Sequence, residues 1–391
     1  MTLIACTRNY NVPFLTSDIL MSSLQANENF HIPTNNFNVV PFLPKDNIYK
    51  PASLAQKMYI VAKNICVVFA GDELEIKKFL NDFRIWCNIN APVRHEHIHQ
   101  FLSRYDLTNE FSKSACFIIS IEHIGLHSIS VRMFNIPKKM LDWKKKTREV
   151  WQYLENDLFE LVYASGSGRD DFLNVIDQKI ELTTQHPKGS IWHAIQTNLS
   201  LIAKTLALEK VTLNTLKKNY GGGFESTFYN GNEFEKISNV VYVVAYKQFE
   251  KDGEIDVPFP KVFLFCTYIS DIFRIIAVEV NRARKDTVDD KIIITAEADS
   301  FECRCFDVEG LDSIPNNIAL PMDFSFKTDK VAMGYSLIGP DDGNYNPCWF
   351  NQHPELTVTY VHQRSIQLIL SREINESLRT SCKEYFARTY K

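Results

Sequence analysis

Thr2, directly after Met1, is the first residue of this chain whose type and position could do chemistry. A hydroxyl is a weak nucleophile at neutral pH and needs a base beside it. Once Met1 is removed, Thr2 carries a free α-amine, which titrates near ~7.7–8 and is partly neutral at physiological pH. One residue then supplies both nucleophile and base. Methionine aminopeptidases remove Met before small residues such as Thr, so no propeptide is required. Other groups carry less. His95, His97 and His99 would line one side of a strand, as a zinc site needs, but the nearby Phe101 and Leu102 favour a helix, on which the histidines diverge. Cys303 and Cys305 lack a second cysteine pair at zinc spacing. Asp341-Asp342-Gly343-Asn344 lacks the carboxylate spacing of a calcium loop and reads as a polar turn. No metal and no cofactor is expected.

The elements that would position Thr2 follow from periodicity. Thr2 to Cys6 reads as a strand, and a second short strand from Val12 to Thr16 ends at Ser17-Asp18. A stretch rich in Asn and Pro, residues 22–52, follows with no clear period. It holds six Asn and is longer than most loops in compact domains, which marks it as functional or mobile. Met58–Val61 and Ile65–Phe69 read as two strands closed by Gly71. Asp72 is a good helix cap, with Leu74, Ile76, Phe79, Leu80 and Phe83 close to one face of the helix it starts. Strands over Ala115–Ile121, Ser128–Phe134 and Phe159–Ala164 lead to Gly166-Ser167-Gly168. A helix starts near Asp170, and a longer one spans Ile191–Leu208. After Gly221-Gly222-Gly223 come strands at Glu225–Tyr229 and Val240–Tyr246. Further strands are expected at Val262–Tyr268, Phe273–Val280, Lys291–Ala298 and Thr357–His362, and a terminal helix over Ser365–Phe386. The charged and Pro-containing run near 250–260 is a plausible boundary between a first domain, 2–250, and a β-rich unit, 261–391, that governs assembly or partner access.

The bulk composition excludes several function classes. The 391 residues are 45% hydrophobic and 23% charged, the balance of a globular protein, and the length suggests more than one domain or one large domain with an addition. A net charge of −4 gives no basic footprint for nucleic acid, and the Lys144–Lys146 run reads as a solvated face. Nine cysteines, several within apolar runs, fit reduced buried thiols better than disulfides. No apolar stretch approaches the ~20 residues that cross a bilayer. The opening residues have neither the cationic start nor the apolar core of a secretory signal, so a cytoplasmic protein without a membrane partner is expected.

Taken together, Thr2-Leu3-Ile4-Ala5-Cys6 and Leu15-Thr16-Ser17-Asp18 resemble the opening of proteasome β-subunits and of the bacterial ATP-dependent threonine proteases, which are N-terminal-nucleophile hydrolases. Asp18 follows Thr2 by sixteen residues, the family spacing. The block from Lys57 to Gly71, fourteen residues apart, resembles the family's lysine, strand, tight turn, apolar strand and helix-opening glycine. Val162 to Gly168 resembles its Gly-Ser-Gly turn. The resemblance covers about residues 1–250. It implies a four-layer α-β-β-α sandwich, here with a β-rich C-terminal extension. It also implies Thr2 as nucleophile, Lys57 tuning the amine and hydroxyl, Asp18 orienting Lys57, Gly71 at the oxyanion site and Ser167 bonding the α-amine. The implied reaction is hydrolysis of amide bonds, of peptides or proteins, through an acyl-ester, in a homo-oligomer that could work with an ATPase or regulatory partner. Two other readings stay open: a catalytically silent ring scaffold, and an amidase for a small molecule. The chain departs from the family where an Asp and a Ser usually precede a Gly-Gly pair. Here the run is Asn219-Tyr220-Gly221-Gly222-Gly223. The segment between Asp18 and Lys57 is also about two dozen residues longer than the family's.

Overall fold

The computed structural model describes residues 2–24, 30–35, 39, 41, 43, 48–107, 109–123, 129–136, 161–177, 182–183, 189–248, 262–280, 284–288, 291–305, 317–318, 325–327, 330–338, 348–351, 356–362 and 365–370. β1 (Leu3–Asn9) and β2 (Val12–Asp18) form a hairpin, β3 (Leu20–Ser23) pairs with β4 (Lys50–Gln56), and β5 (Met58–Ala62) pairs with β6 (Ile65–Ala70). Helices α1 (Glu73–Ile89) and α2 (His95–Arg104) precede β7 (Ala115–His123), β8 (Ile129–Ile136) and β9 (Leu161–Gly166). Then come α3 (Arg169–Asp177), β10 (Leu182–Thr183), α4 (Ile191–Thr212) and α5 (Asn214–Lys217). The remaining described elements are strands: β11 (Phe224–Tyr229), β12 (Phe234–Lys236), β13 (Val240–Gln248), β14 (Val262–Ile269), β15 (Ile272–Glu279), β16 (Arg284–Val288) and β17 (Lys291–Cys305). Short and medium strands finish it: β18 (Asn317–Ile318), β19 (Ser325–Lys327), β20 (Lys330–Ile338), β21 (Cys348–Asn351), β22 (Leu356–His362) and β23 (Ser365–Leu370).

The described strands form three sheets. One has the order β12-β11-β2-β1-β9 and a second β5-β6-β7-β8, each with antiparallel neighbours. The β1–β2 turn places Tyr10 and Asn11 at positive φ (48° and 63°), the backbone that a two-residue hairpin loop requires to match strand twist. Alternate residues of β1 then serve two cores. Ile4 and Cys6 pack between the two sheets with Leu15, Met58, Val68 and Phe117. Leu3 and Ala5 face the other way, toward Phe172, Leu199 and Ile202. On the far side of the second sheet Val67 and Phe69 meet Ile76, Phe79 and Phe83 of α1 and Phe101 of α2.

The four-layer α-β-β-α sandwich with an appended β-rich unit is not the architecture. The chain is mostly strand, in several sheets with few helices. Among the described residues one sheet curls into a half-barrel, and the largest sheet has 14 strands. That sheet takes β3, β4, β10 and β13 from the first 250 residues along with strands from the C-terminal region. β13 pairs with β14 and β20, and β4 with β17, across the expected boundary, whose 251–260 run lies outside the described residues. The physical reason is visible in α4. A sandwich of that kind leaves its helices outermost, but Ala194, Leu199, Leu201, Ala203, Leu206 and Ala207 are all buried, and α4 shares one core with Val240, Tyr242 and Leu264 of the long sheet. A helix buried on all sides needs a second cover, and the long sheet supplies it.

The expected terminal helix is also corrected: residues 365–370 form β23, paired with β17 and β22. Ile366, Leu368 and Leu370 alternate with period two, which suits a strand. Residues 371–386, and Asp341–Asn344, lie outside the described residues. No helix among the described residues is long and apolar enough to cross a membrane.

Candidate active site

Thr2 sits at the entry to β1 and is 2% exposed. Asp18 closes β2, and hairpin pairing carries it back beside the chain start. Its Oδ1 accepts from the Thr2 hydroxyl and, at 2.8 Å, from Leu3 N–H. Its Oδ2 accepts from Leu20 N–H at 3.2 Å and Gly221 N–H at 2.9 Å. Lys57 lies in the one-residue break between β4 and β5. Its Nζ donates to Thr2 Oγ1 at 2.6 Å, Asp18 Oδ1 at 2.9 Å and the Leu20 carbonyl at 2.5 Å. Three acceptors are the full complement of an ammonium. Burial pulls the Lys57 pKa below its ordinary value, and the neighbouring Asp18 and Glu225 carboxylates oppose that shift. Asp18 and Lys57 therefore form a buried ion pair with the threonine hydroxyl inserted into it.

Gly71 and Ser167 come to the same place. Gly71 ends β6 with φ +129°, where a Cβ would sit 2.4 Å from Ser114 Cα, so only glycine fits. Asp72 then caps α1, accepting from Leu74 N–H at 3.0 Å and Glu75 N–H at 3.3 Å. Gly71 lines an open pocket with Thr2 and Lys57, walled by Met21, Phe69 and Ile76. The Ser167 hydroxyl donates to the Thr2 carbonyl at 3.5 Å, and Gly168 N–H reaches the same oxygen at 3.4 Å. The contact recorded for Ser167 is therefore with the carbonyl, where the family resemblance implies the α-amine. Gly166 wraps this turn so closely that a Cβ there would lie 1.9 Å from the Thr2 oxygen.

Two buried carboxylates escape a reading based on local spacing. Glu225 Oε1 accepts from Lys57 N–H at 2.6 Å and Ser17 Oγ at 3.1 Å. Its Oε2 accepts from Tyr268 at 3.1 Å and Lys236 at 3.3 Å, tying the Lys57 backbone to the long sheet. Glu209 lies behind the glycine run at 221–223. An acid set among the buried residues of β11, and another in the last turns of a helix whose final stretch is otherwise rich in Leu and Ala, were the available signals. Asn219, which opens the run where the chain departs from the family's Asp and Ser, adopts φ +59°, and its side-chain oxygen is buried without a hydrogen-bond partner among the described residues.

The histidine run is helical, and its members part ways. His95 turns inward to Ser120 and Ser130, while His97 Nδ1 accepts from Arg94 N–H at 3.2 Å at the helix start. Among the described residues no three His, Cys, Asp or Glu side chains gather as a metal would need. Cys6, Cys66, Cys87, Cys116, Cys266 and Cys303 are free and buried. No protein-family model matches the chain, and no curated protein matches it.

Proposed function

We propose that this protein is an N-terminal threonine hydrolase that cleaves amide bonds, of peptides or proteins, through an acyl-ester on Thr2. The observation that carries the reading is the Lys57 ammonium 2.6 Å from Thr2 Oγ1, ion-paired to Asp18, beside an open pocket. Removal of Met1 would free the α-amine as general base. The amine takes the hydroxyl proton as Oγ1 attacks the substrate carbonyl carbon, then gives that proton to the departing amine as the C–N bond breaks. Water attacks the ester by the same route in reverse and regenerates Thr2. A positive charge beside both groups disfavours protonation of the amine and favours the alkoxide. Asp18 holds Lys57 in place, and the Gly71 backbone at the start of α1 is placed to meet a developing oxyanion. A cytoplasmic homo-oligomer acting on peptide or protein, with an ATPase or regulatory partner, extends the same proposal.

Intact mass of the purified chain, before and after treatment with a peptide β-lactone, tests it. Loss of Met1 and a single adduct on Thr2, absent in Thr2→Ala and Lys57→Ala and partly retained in Thr2→Ser, is the expected result. Full retention of Met1 in folded protein would leave the amine in a peptide bond and rule the mechanism out, making a silent scaffold the better account.

A further inference from the structure

The glycine turn that binds Asp18 is gripped on its other side by a second carboxylate. Glu209, on α4, is fully buried. Its Oε1 accepts from the Thr34 hydroxyl at 2.5 Å and its Oε2 from the Thr215 hydroxyl at 2.7 Å, and both oxygens lie 3.1 Å from Gly222 N. One residue earlier, Gly221 N–H donates to Asp18 Oδ2 at 2.9 Å. Two successive amides thus face two carboxylates. The turn has φ of +115° at Gly221 and +75° at Gly222, and a Cβ on Gly221 would lie 1.7 Å from Glu209 Oε2. Leu20 N–H and Ile19 N–H bond to the carbonyls of Gly221 and Gly223, and the Leu20 carbonyl is an acceptor of Lys57. A shift of this turn therefore reaches both Asp18 and Lys57.

We propose that Glu209 is a positioning residue for the Thr2–Asp18–Lys57 site, acting through the Gly221–Gly222 turn, and that through Thr34 it couples the site to the long connection between β3 and β4. The activity readout of this inference rests on the hydrolase reading. Ionised, Glu209 only accepts and satisfies every donor around it. Protonated, it carries a donor of its own, and one of those bonds must be given up or reversed. Burial pushes the Glu209 carboxyl up to about 7, with the Thr34, Thr215 and Gly222 hydrogen bonds opposing the rise and Asp18 adding to it. Asp18 at the end of β2 and Tyr220 before the turn are the titratable groups that face it. Lys210, next along α4, turns away to Glu279 of β15 at 3.2 Å. The grip thus changes state close to neutral pH.

The test uses full-length wild type, Glu209→Gln and Thr34→Val. The rate of Thr2 acylation by a peptide β-lactone is followed by intact mass from about pH 5.5 to 8.5. The Thr2 amine titrates in every variant, so the rate ratio of wild type to E209Q cancels it. That ratio is expected near one at the acid end and about tenfold at the alkaline end. Thr34→Val removes a bond to the ionised carboxylate, so the midpoint of its own ratio to E209Q moves to higher pH. A flat wild-type ratio in folded proteins overturns the positioning role, and an unmoved midpoint in T34V overturns the coupling to the connection. If E209Q does not fold, the shift between wild type and T34V profiles decides alone. If wild type is never labelled, the hydrolase reading fails by itself, and positioning is judged by hydrogen exchange at the Gly221 and Gly222 amides. A wild-type-to-E209Q protection ratio that rises over the same pH range keeps the proposal, and a constant one ends it.

Discussion

Asp18 and Glu209 are both fully buried carboxylates, and they hold the same glycine turn from opposite sides. They are stabilised differently. Asp18 has a cation at 2.9 Å as well as the Thr2 hydroxyl and three backbone amides. The recorded hydrogen bonds of Glu209 come from two hydroxyls and one amide, and its acidity falls accordingly. A dipole donor offsets only part of the cost of burying a charge, whereas a partner of opposite charge offsets much more. The contrast separates a carboxylate held by a cation from one held by dipoles alone, whose charge can be switched off near neutral pH.

The largest effect should come from removing the cation. Lys57→Met leaves Asp18 buried and unpaired, and a loss of about 3–5 kcal/mol is expected in urea unfolding at pH 8, together with complete loss of β-lactone labelling. A smaller loss would mean that the amides around Asp18 suffice. Next is the turn itself. Gly221→Ala drives a methyl into Glu209 and forces a left-handed backbone on a residue with a Cβ, which should cost about 3 kcal/mol. Melting at the wild-type temperature would show that the turn has room to move.

Glu209→Gln addresses the carboxylate directly. The folded-state pKa is raised from 4.5 to about 7, so wild type loses stability as pH climbs through that window. The full shift corresponds to roughly 3 kcal/mol. Denaturation at pH 5 and pH 8 should show that slope in wild type and a flatter one in E209Q. Equal slopes would place the titration elsewhere. The smallest effect is expected for Thr34→Val, about 1 kcal/mol at pH 8, because one of the three recorded donors to Glu209 is lost. An unchanged midpoint would show that the Thr34 bond adds nothing to the ionised state.

The sequence made the centre of this site legible and its supports illegible, for one reason. Thr2, Asp18, Lys57 and Gly71 each lie at the end of a strand, beside a turn or helix start that the sequence itself marks, so they could be picked out along the chain. Glu209 and Glu225 reach the site across 191 and 168 residues from Asp18 and Lys57 respectively, through pairings that no local period encodes. Ile195, Leu199, Ile202 and Leu206 gave α4 an apolar side, but Leu201, Ala203 and Ala207 on its other sides are buried as well. That all-round burial is the mark of a helix covered twice, and reading only one side hid the long sheet behind it. In β23 a short apolar run allowed either helix or strand, and the neighbouring strands decided.

The burial of Thr2 has a consequence for the order of events in the cell. An aminopeptidase must grasp an extended chain end to cut after Met1, and Thr2, at 2% exposure, offers little to grasp once β1 has docked. Under the proposed hydrolase reading, trimming of Met1 and folding of β1 would therefore compete. A population made faster than it is trimmed would carry a fraction still capped by Met1, and on that reading the share able to form an acyl-ester on Thr2 would depend on the rate of synthesis.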